Sequence, residues 1–221
     1  MKVHVRGILF DMDGILVSSL GSVERSWAKW GEMRGLDGAL AIKTAHGQRA
    51  IDTIRVLRPD LNDVEELKLI EQIEIDDKEG IEVLKGVERL LESLPEKYWT
   101  IVTSATERLA RVRLEHAGLK VPARIITADM VTLGKPNPEP YLKGAELLGL
   151  KPEECLVIED STSGAMAGHT AGCKVLATLF SHTMENLSAA DWIVESLEGL
   201  SVKPQGDGLE IEFQPLFQRS N

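Results

Sequence analysis

The chain Val5-Arg6-Gly7-Ile8-Leu9-Phe10 is largely apolar and ends abruptly at Asp11-Met12-Asp13-Gly14. An apolar run of this length bounded by turn residues reads as a buried strand. Two carboxylates spaced i, i+2 at its end are costly, because burial penalises their charged form. They belong there if they do chemistry: one as a nucleophile, the other as a proton donor and acceptor. Period-two alternation sends both to one side, and the carboxyl end of a parallel strand is the rim of a ligand crevice. The same residues also fit a strand followed by an Asx-type turn. They do not fit an EF-hand loop, whose glycine stands sixth where Gly14 stands fourth.

Three further stretches put polar residues at the position that Asp11 holds in its own strand. Thr103-Ser104 closes Ile101-Val102, Lys135 lies in Gly134-Lys135-Pro136-Asn137-Pro138, and Glu159-Asp160 closes Leu156-Val157-Ile158. Each has a plainer reading: a helix cap for Thr103, a surface lysine for Lys135, an N-cap carboxylate for Asp160. Gly134-Lys135 is not a P-loop, since the residue five before the lysine is Met130.

The elements that must position these residues follow from periodicity. Residues 99–103, 124–127, 156–159 and 175–179 read as strands. Between them lie helical stretches from Thr106 to Ala117, Pro138 to Leu148 and Ser163 to Ala171. This alternation predicts an α/β fold, a Rossmann-like doubly wound parallel sheet with helices on both faces. Residues 18–80 instead read as helical. Val23, Trp27 and Trp30 mark one face of a first helix. Ile51, Ile54 and Leu57 mark a second, and Asn62 with Glu65 caps a third. The expected organisation is a core of residues 1–15 and 84–221 interrupted by a small helical insert, residues 16–83. Leu209 to Phe213 alternates like an edge strand after the Asp207-Gly208 turn.

The order Asp11-x-Asp13, Thr103-Ser104, Lys135, Glu159-Asp160 on successive strands resembles the four motifs of the haloacid-dehalogenase superfamily of phosphohydrolases, with Ile15 where that family usually carries Thr or Val. The resemblance implies a HAD-like core with a helical cap and a Mg2+-dependent phosphatase. Asp11 is then the nucleophile, Asp13 the general acid and base, and Thr103 with Lys135 the holders of the phosphoryl oxygens. The metal ligands are Asp11, Asp13 through its carbonyl, Asp160, and Glu159 in or next to that set. Ser163-Gly164 would help position the metal-ligand loop. The physical logic agrees: Asp11, Asp13, Glu159 and Asp160 in one crevice face a single Lys135, and such carboxylates cannot all ionise without a cation. Mg2+, a hard ion taking oxygen ligands, suits that set. Asp13 points to phosphate esters, because a leaving alkoxide needs a proton and a leaving halide does not.

Within the insert, His46-Gly47-Gln48-Arg49 resembles the cap segment of the glycerol-phosphate and 2-deoxyglucose-6-phosphate phosphatases. It implies small phosphorylated sugars or polyols as substrates, with Ser104, His46 and Arg49 as contacts; Arg49 as a solvated surface residue is the plainer reading. A β-phosphoglucomutase-type mutase shares every core motif and is the rival enzyme. A binding module on the same fold is the non-enzymatic rival.

Composition narrows the partners. The chain has 221 residues, 35 acidic against 25 basic and a formal charge of -10. Such a surface repels nucleic acid and anionic membrane. No apolar run approaches the ~20 residues of a membrane span, and no leader pattern precedes the first strand. The expectation is a cytoplasmic monomer or homodimer acting on a small phosphorylated metabolite, with no nucleic-acid and no membrane partner. Cys155 and Cys173 read as buried hydrophobes rather than a disulfide. His169 and Cys173, four apart, lack the two further ligands of a zinc site.

Overall fold

The computed structural model describes residues 1–120 and 122–219. The chain opens with β1 (Lys2–Val5), β2 (Gly7–Phe10) and β3 (Val17–Ser18). The helices α1 (Leu20–Met33), α2 (Gly38–Ala45), α3 (Ala50–Leu57) and α4 (Asp63–Asp76) follow, then β4 (Glu82–Val83). Next come α5 (Val87–Glu92), β5 (Trp99–Ile101), α6 (Glu107–His116), α7 (Glu139–Leu147), β6 (Cys155–Glu159), α8 (Thr162–Thr170) and β7 (Lys174–Thr178). The chain finishes with β8 (Trp192–Val194), β9 (Ser201–Gln205), β10 (Gly208–Glu212) and β11 (Phe217–Gln218).

The central sheet has the order β11-β8-β7-β6-β2-β5 and is parallel apart from β11. Its residues sort by period two. Ile8, Phe10, Leu156, Ile158 and Leu176 join the core on one face, with Leu109, Ala110 and Leu114 of α6. Leu9, Val157, Val175 and Ala177 join the core on the other, with Tyr141 and Ala145 of α7 and Ala165 and Ala167 of α8. Helices on both faces leave these strands with no solvated side, which is why they read as continuous apolar runs. Cys155 and Cys173 are buried free thiols of this core, and burial pushes both up to about 12.

Three expectations change. The run from Val5 to Phe10 is not one strand: the chain breaks at Arg6, whose N–H donates to the Glu154 carbonyl at 2.7 Å. The first half, β1, leaves for a separate antiparallel sheet of order β1-β10-β9, where Val5 faces Leu209 and Val3 faces Ile211. That sheet supplies the partner of the alternating segment near the C-terminus and buries Val202, Leu209 and Ile211 against the main core. The strand expected at 124–127 is a single bridge between Val102 and Ile126, because only Ile126 N–H to Ile101 and Thr103 N–H to Ile126 pair. Finally, α2 was absent from the periodicity reading, since only Ala41 and Ala45 mark its buried side.

The four helices of the insert close around their own core of Trp27, Trp30, Ala45, Ile54, Ile70 and Ile73. Trp27 and Trp30 meet edge to face at 5.3 Å, and the buried Trp30 indole N–H donates to Glu66 at 2.8 Å. The Arg34 guanidinium grips the same carboxylate through both oxygens, each at 2.8 Å. Asn62 caps α4 by accepting from the N–H groups of Val64 and Glu65. No helix among the described residues is long and apolar enough to cross a membrane.

Trp30 is the largest fully buried side chain. Trp30→Ala is expected to cost about 3–5 kcal/mol, read as a lower urea midpoint; an unmoved midpoint would mean that the insert does not depend on this core.

Candidate active site

Parallel pairing of Phe10 with both Ile101 and Ile158 brings three strand ends level. The residues just beyond them therefore converge. Asp11 follows β2 and its N–H donates to the Ile158 carbonyl at 2.9 Å. Thr103 lies two residues beyond β5, and Glu159 ends β6 with Asp160 after it. Lys135 arrives from the loop before α7. Its ammonium, 3% exposed, donates to Asp11 Oδ1 at 2.7 Å, Glu159 Oε1 at 2.7 Å and the Val102 carbonyl at 3.2 Å. All three of its donors are used.

Glu159 is fully buried and heavily bonded. Its Oε1 accepts from Lys135 and from the Tyr141 hydroxyl at 2.9 Å. Its Oε2 accepts from the N–H groups of Asp160 and Ser161, both at 2.9 Å, and from the Ser161 hydroxyl at 3.0 Å. The carboxylate is thus wedged against the first turn of α8, where Ser161 caps the helix through Gly164 N–H at 3.1 Å. Gly164 makes this approach feasible: a Cβ there would lie 1.6 Å from Glu159 Oε1. Gly14 plays the same part for Asp160, with φ of +80° and a Cβ position only 2.0 Å from the Asp160 carboxylate.

Asp11, Glu159 and Asp160 each offer an oxygen within 4.8 Å of the others, a set able to hold a metal ion. The electrostatics fit a cation. Burial pushes Asp11 up to about 7 despite Lys135, with Glu159 and Asp13 adding to the rise. Burial also drives Asp160 well above the usual carboxylate range, and the Glu159 and Asp11 charges push the same way. Burial acts on Glu159 too, but Lys135 and the hydrogen bonds outweigh it and hold that carboxyl low. One ammonium therefore leaves the cluster short of positive charge.

Asp13 stands apart from this cluster. Beyond Phe10 the chain leaves the sheet, so strand alternation no longer applies, and Asp13 instead forms a bridge with Val17. Its Oδ1 accepts from the Ser19 hydroxyl at 2.5 Å, and its two oxygens accept from Arg113 Nη1 at 3.0 and 3.1 Å. Lys135 is thus not the single cation of the crevice. Arg113, a buried residue of α6, also donates to Glu74 of α4 at 3.2 Å. Burial pushes Glu74 up to about 7 against the pull of Arg113.

These groups line one cavity of about 520 Å³ between the insert and the sheet. Thr103 faces it, and its hydroxyl accepts from Ala105 N–H at 3.0 Å. The Ser104 hydroxyl lines it with no hydrogen-bond partner among the described residues. His46 lines it from the insert, its ring edge-to-face with His182 at 5.1 Å. Arg49 lines it as well, but it is not the solvated residue of the plainer reading. Its guanidinium is buried and spent on protein: on Asp52 at 2.7 and 3.0 Å, and on the carbonyls of Val131 and Thr132 at 2.8 and 2.9 Å. Ser163, expected to help place the metal-ligand loop, donates to the Gly47 carbonyl of the insert at 2.8 Å.

Arg113, Glu74, Tyr141, Ser161 and Ser19 lay outside the sequence reading of the site. Two of them carried a signal: Arg113 falls on the inward stripe Leu109, Ala110, Leu114 of its helix, and Glu74 follows Ile70 and Ile73 on theirs. A charge on an apolar stripe needs a buried partner.

Residues 8–178 match the haloacid dehalogenase-like hydrolase family, and the chain belongs to it. Among its relatives, hexitol phosphatase A of Escherichia coli is 39% identical over 211 residues, covering 93% of this chain and 98% of that one. Glycerol-1-phosphate phosphohydrolase 2 of Saccharomyces cerevisiae is 35% identical over 217 residues, covering 91% and 86%. A crystal structure of a hydrolase from Pseudomonas syringae shares the fold with a TM-score of 0.78 at 24% identity, covering 87% of this chain and 94% of that one.

The bonding of Glu159 generates a prediction. Glu159→Gln places an amide NH2 among donors, so the metal-free protein is expected to lose about 2–4 kcal/mol, read by urea unfolding in chelator. A carboxylate kept only to hold a metal would leave the metal-free stability unchanged or raise it.

Proposed function

We propose that the protein is a Mg2+-dependent phosphatase that hydrolyses small phosphorylated sugars or polyols through a phosphorylated Asp11. The observation that carries this reading is the buried cluster of Asp11, Glu159 and Asp160 around Lys135, opening on a cavity that also holds Asp13, Thr103 and Ser104. The relatives named for hexitol phosphatase and glycerol-1-phosphate phosphohydrolase activity support the substrate class. We assign residues 1–15 and 84–221 to the core and 16–83 to a cap that closes the leaving-group side.

Asp11 and Asp160 would hold the ion, together with the Asp13 carbonyl, with Glu159 fixing the turn that carries Asp160. Mg2+ in that place would offset the charge of an anionic nucleophile approaching an anionic phosphate. In the first step an Asp11 oxygen bonds to phosphorus while the bond to the leaving oxygen breaks, and Asp13 gives that oxygen its proton. In the second, Asp13 takes a proton from water as the water oxygen attacks phosphorus, and the Asp11–phosphorus bond breaks to release phosphate. Lys135, by exchanging one of its three partners, and the Thr103 and Ser104 hydroxyls would hold the phosphoryl oxygens as they gather charge.

His46, which lines the cavity from the insert, would meet the leaving group, and Arg49 lies near it with its guanidinium committed to protein. Arg49 reaches a ligand only by giving up Asp52 or the core carbonyls, so its first duty is to seat the cap. This favours the phosphatase over the mutase, which must read a second phosphate from its cap. The cavity's other arginines are also committed, Arg55 to Asp63 and Arg113 to Asp13 and Glu74, while Glu71, Glu74 and Asp129 make that wall acidic.

Inorganic-phosphate release is expected from sugar and polyol phosphates with Mg2+, and to stop in chelator. Asp11→Asn should abolish it without unfolding the protein. Turnover undiminished in chelator would rule out the metal role, and more than a few per cent of activity in Asp11→Asn would rule out the covalent route.

A separate outcome concerns the cap. Arg49→Ala removes donors to both Asp52 and the core, so kcat/KM for the preferred ester should fall by roughly tenfold or more. An aryl phosphate, which needs fewer cap contacts, should lose much less. Equal losses on both esters would place the role of Arg49 in folding or at the phosphoryl site.

A further inference from the structure

The loop after β7 carries Phe180, Ser181 and His182 past the turn that holds Asp160. Its anchor is Ser181, whose hydroxyl donates to the Asp160 carbonyl at 3.2 Å and meets His182 Nδ1 at 2.8 Å. Phe180 has no such duty. Its ring joins none of the three apolar cores among the described residues and is 36% exposed. What it touches is the reacting centre: a Cβ on Gly14 would lie 3.0 Å from the ring Cδ1, so one edge rests on the backbone next to Asp13. Phe180 lines the cavity there, as His46 does.

A ring held in water contributes little to the fold, and it gains free energy when apolar surface covers it. Ligand cavities set such rings among a few polar groups that fix orientation. The chemistry of the leaving group decides what can cover this one. A sugar closed into a pyranose carries its hydroxyls around the edge and leaves C–H groups on its two faces, which match a flat aromatic ring. An open-chain polyol turns hydroxyls to every side and offers no comparable face. The hydroxyl edge of a ring sugar finds polar partners elsewhere in the lining, where Gln48 and Asp129 enter from other segments.

We propose that Phe180 is a specificity residue: its ring takes the C–H face of a cyclic sugar, so that the site favours phosphate esters of ring-form sugars over those of open-chain polyols. The proposal rests on the phosphatase reading and narrows its substrate class. The contact is made to a part of the leaving group that does not react, and it is therefore equally strong before and during the chemical step. Such uniform binding shows in KM and leaves kcat alone.

The test compares 2-deoxyglucose 6-phosphate, a ring ester, with sorbitol 6-phosphate, an open-chain ester of the same carbon number, on the full chain with Mg2+. Phe180→Ala is expected to raise KM for the ring ester about fivefold or more, with kcat changed by less than about twofold. KM for the open-chain ester should rise by less than about twofold. Phe180→Trp, which keeps a flat ring, should hold both values near those of the wild type. Equal rises on the two esters, or no rise on either, overturns the proposal. A fall in kcat on both esters together with a raised Mg2+ requirement also overturns it, since it would make Phe180 a support of the Asp160 turn. So does a wild-type protein that hydrolyses the open-chain ester and not the ring ester. If Phe180→Ala does not fold, Phe180→Leu decides by the same comparison, because it keeps bulk and removes the flat face. A wild-type protein that releases phosphate from neither ester is a separate outcome, which defeats the phosphatase reading and this assignment with it.

Discussion

The ammonium of Lys135, buried between Asp11 and Glu159, is the interaction on which the centre of this protein depends. Two buried carboxylates at the ends of adjacent strands would repel each other, and desolvation alone would push both toward their neutral forms. Lys135 changes that balance unequally. Glu159, with five donors around it, is held low, while Asp11, sharing the ammonium through one oxygen, is pushed by burial up to about 7. The same contact organises the chain beyond itself. It draws the loop before α7 onto the sheet, and Tyr141 of α7 and the first turn of α8 are then both fixed to the carboxylate that Lys135 holds.

The insert has an apolar interior of its own, and its seam with the core mixes apolar packing of Ile75 and Val83 on the main core with polar contacts: Arg49 to two carbonyls, Gly47 to Ser163, Glu71 to Arg108, Glu74 to Arg113. Where that seam is exposed, as at Arg108, its ion pairs exchange with water at little net cost. On the proposed chemistry this suits a cover that must admit an ester and release phosphate.

Much of this was legible in the chain. Strands that are buried on both faces read as apolar runs, and polar residues at their carboxyl ends are conspicuous for that reason; Asp11, Thr103 and Glu159 stand out this way, whereas Lys135 follows no strand, lies in the loop before α7 and is marked only by its place in the order of motifs. The groups that govern those residues were harder to see. Tyr141 on a helix face looks like core packing, and nothing in its neighbours tells that its hydroxyl meets Glu159. Arg113 and Glu74 did leave a mark, each a charge on an apolar stripe, but their pairing with each other and with Asp13 spans a separation that no local pattern encodes. Arg49 was singled out for its place in a motif. Its commitment to Asp52 and to the loop at Val131 and Thr132 depends on how the insert folds back, which is a tertiary fact. The same applies to β1 and β10, whose pairing joins the two ends of the chain.

The central claim is that Asp11, one of the two carboxylates that Lys135 bridges, is the one that becomes phosphorylated. A reaction with a phosphate ester labelled in its phosphoryl group, quenched in acid during turnover and digested at low pH, tests it directly. The account predicts label on the peptide that contains Asp11, lost in alkali or hydroxylamine as an acyl phosphate is. Steady turnover with no label on the protein, or label on a peptide without Asp11, would contradict it.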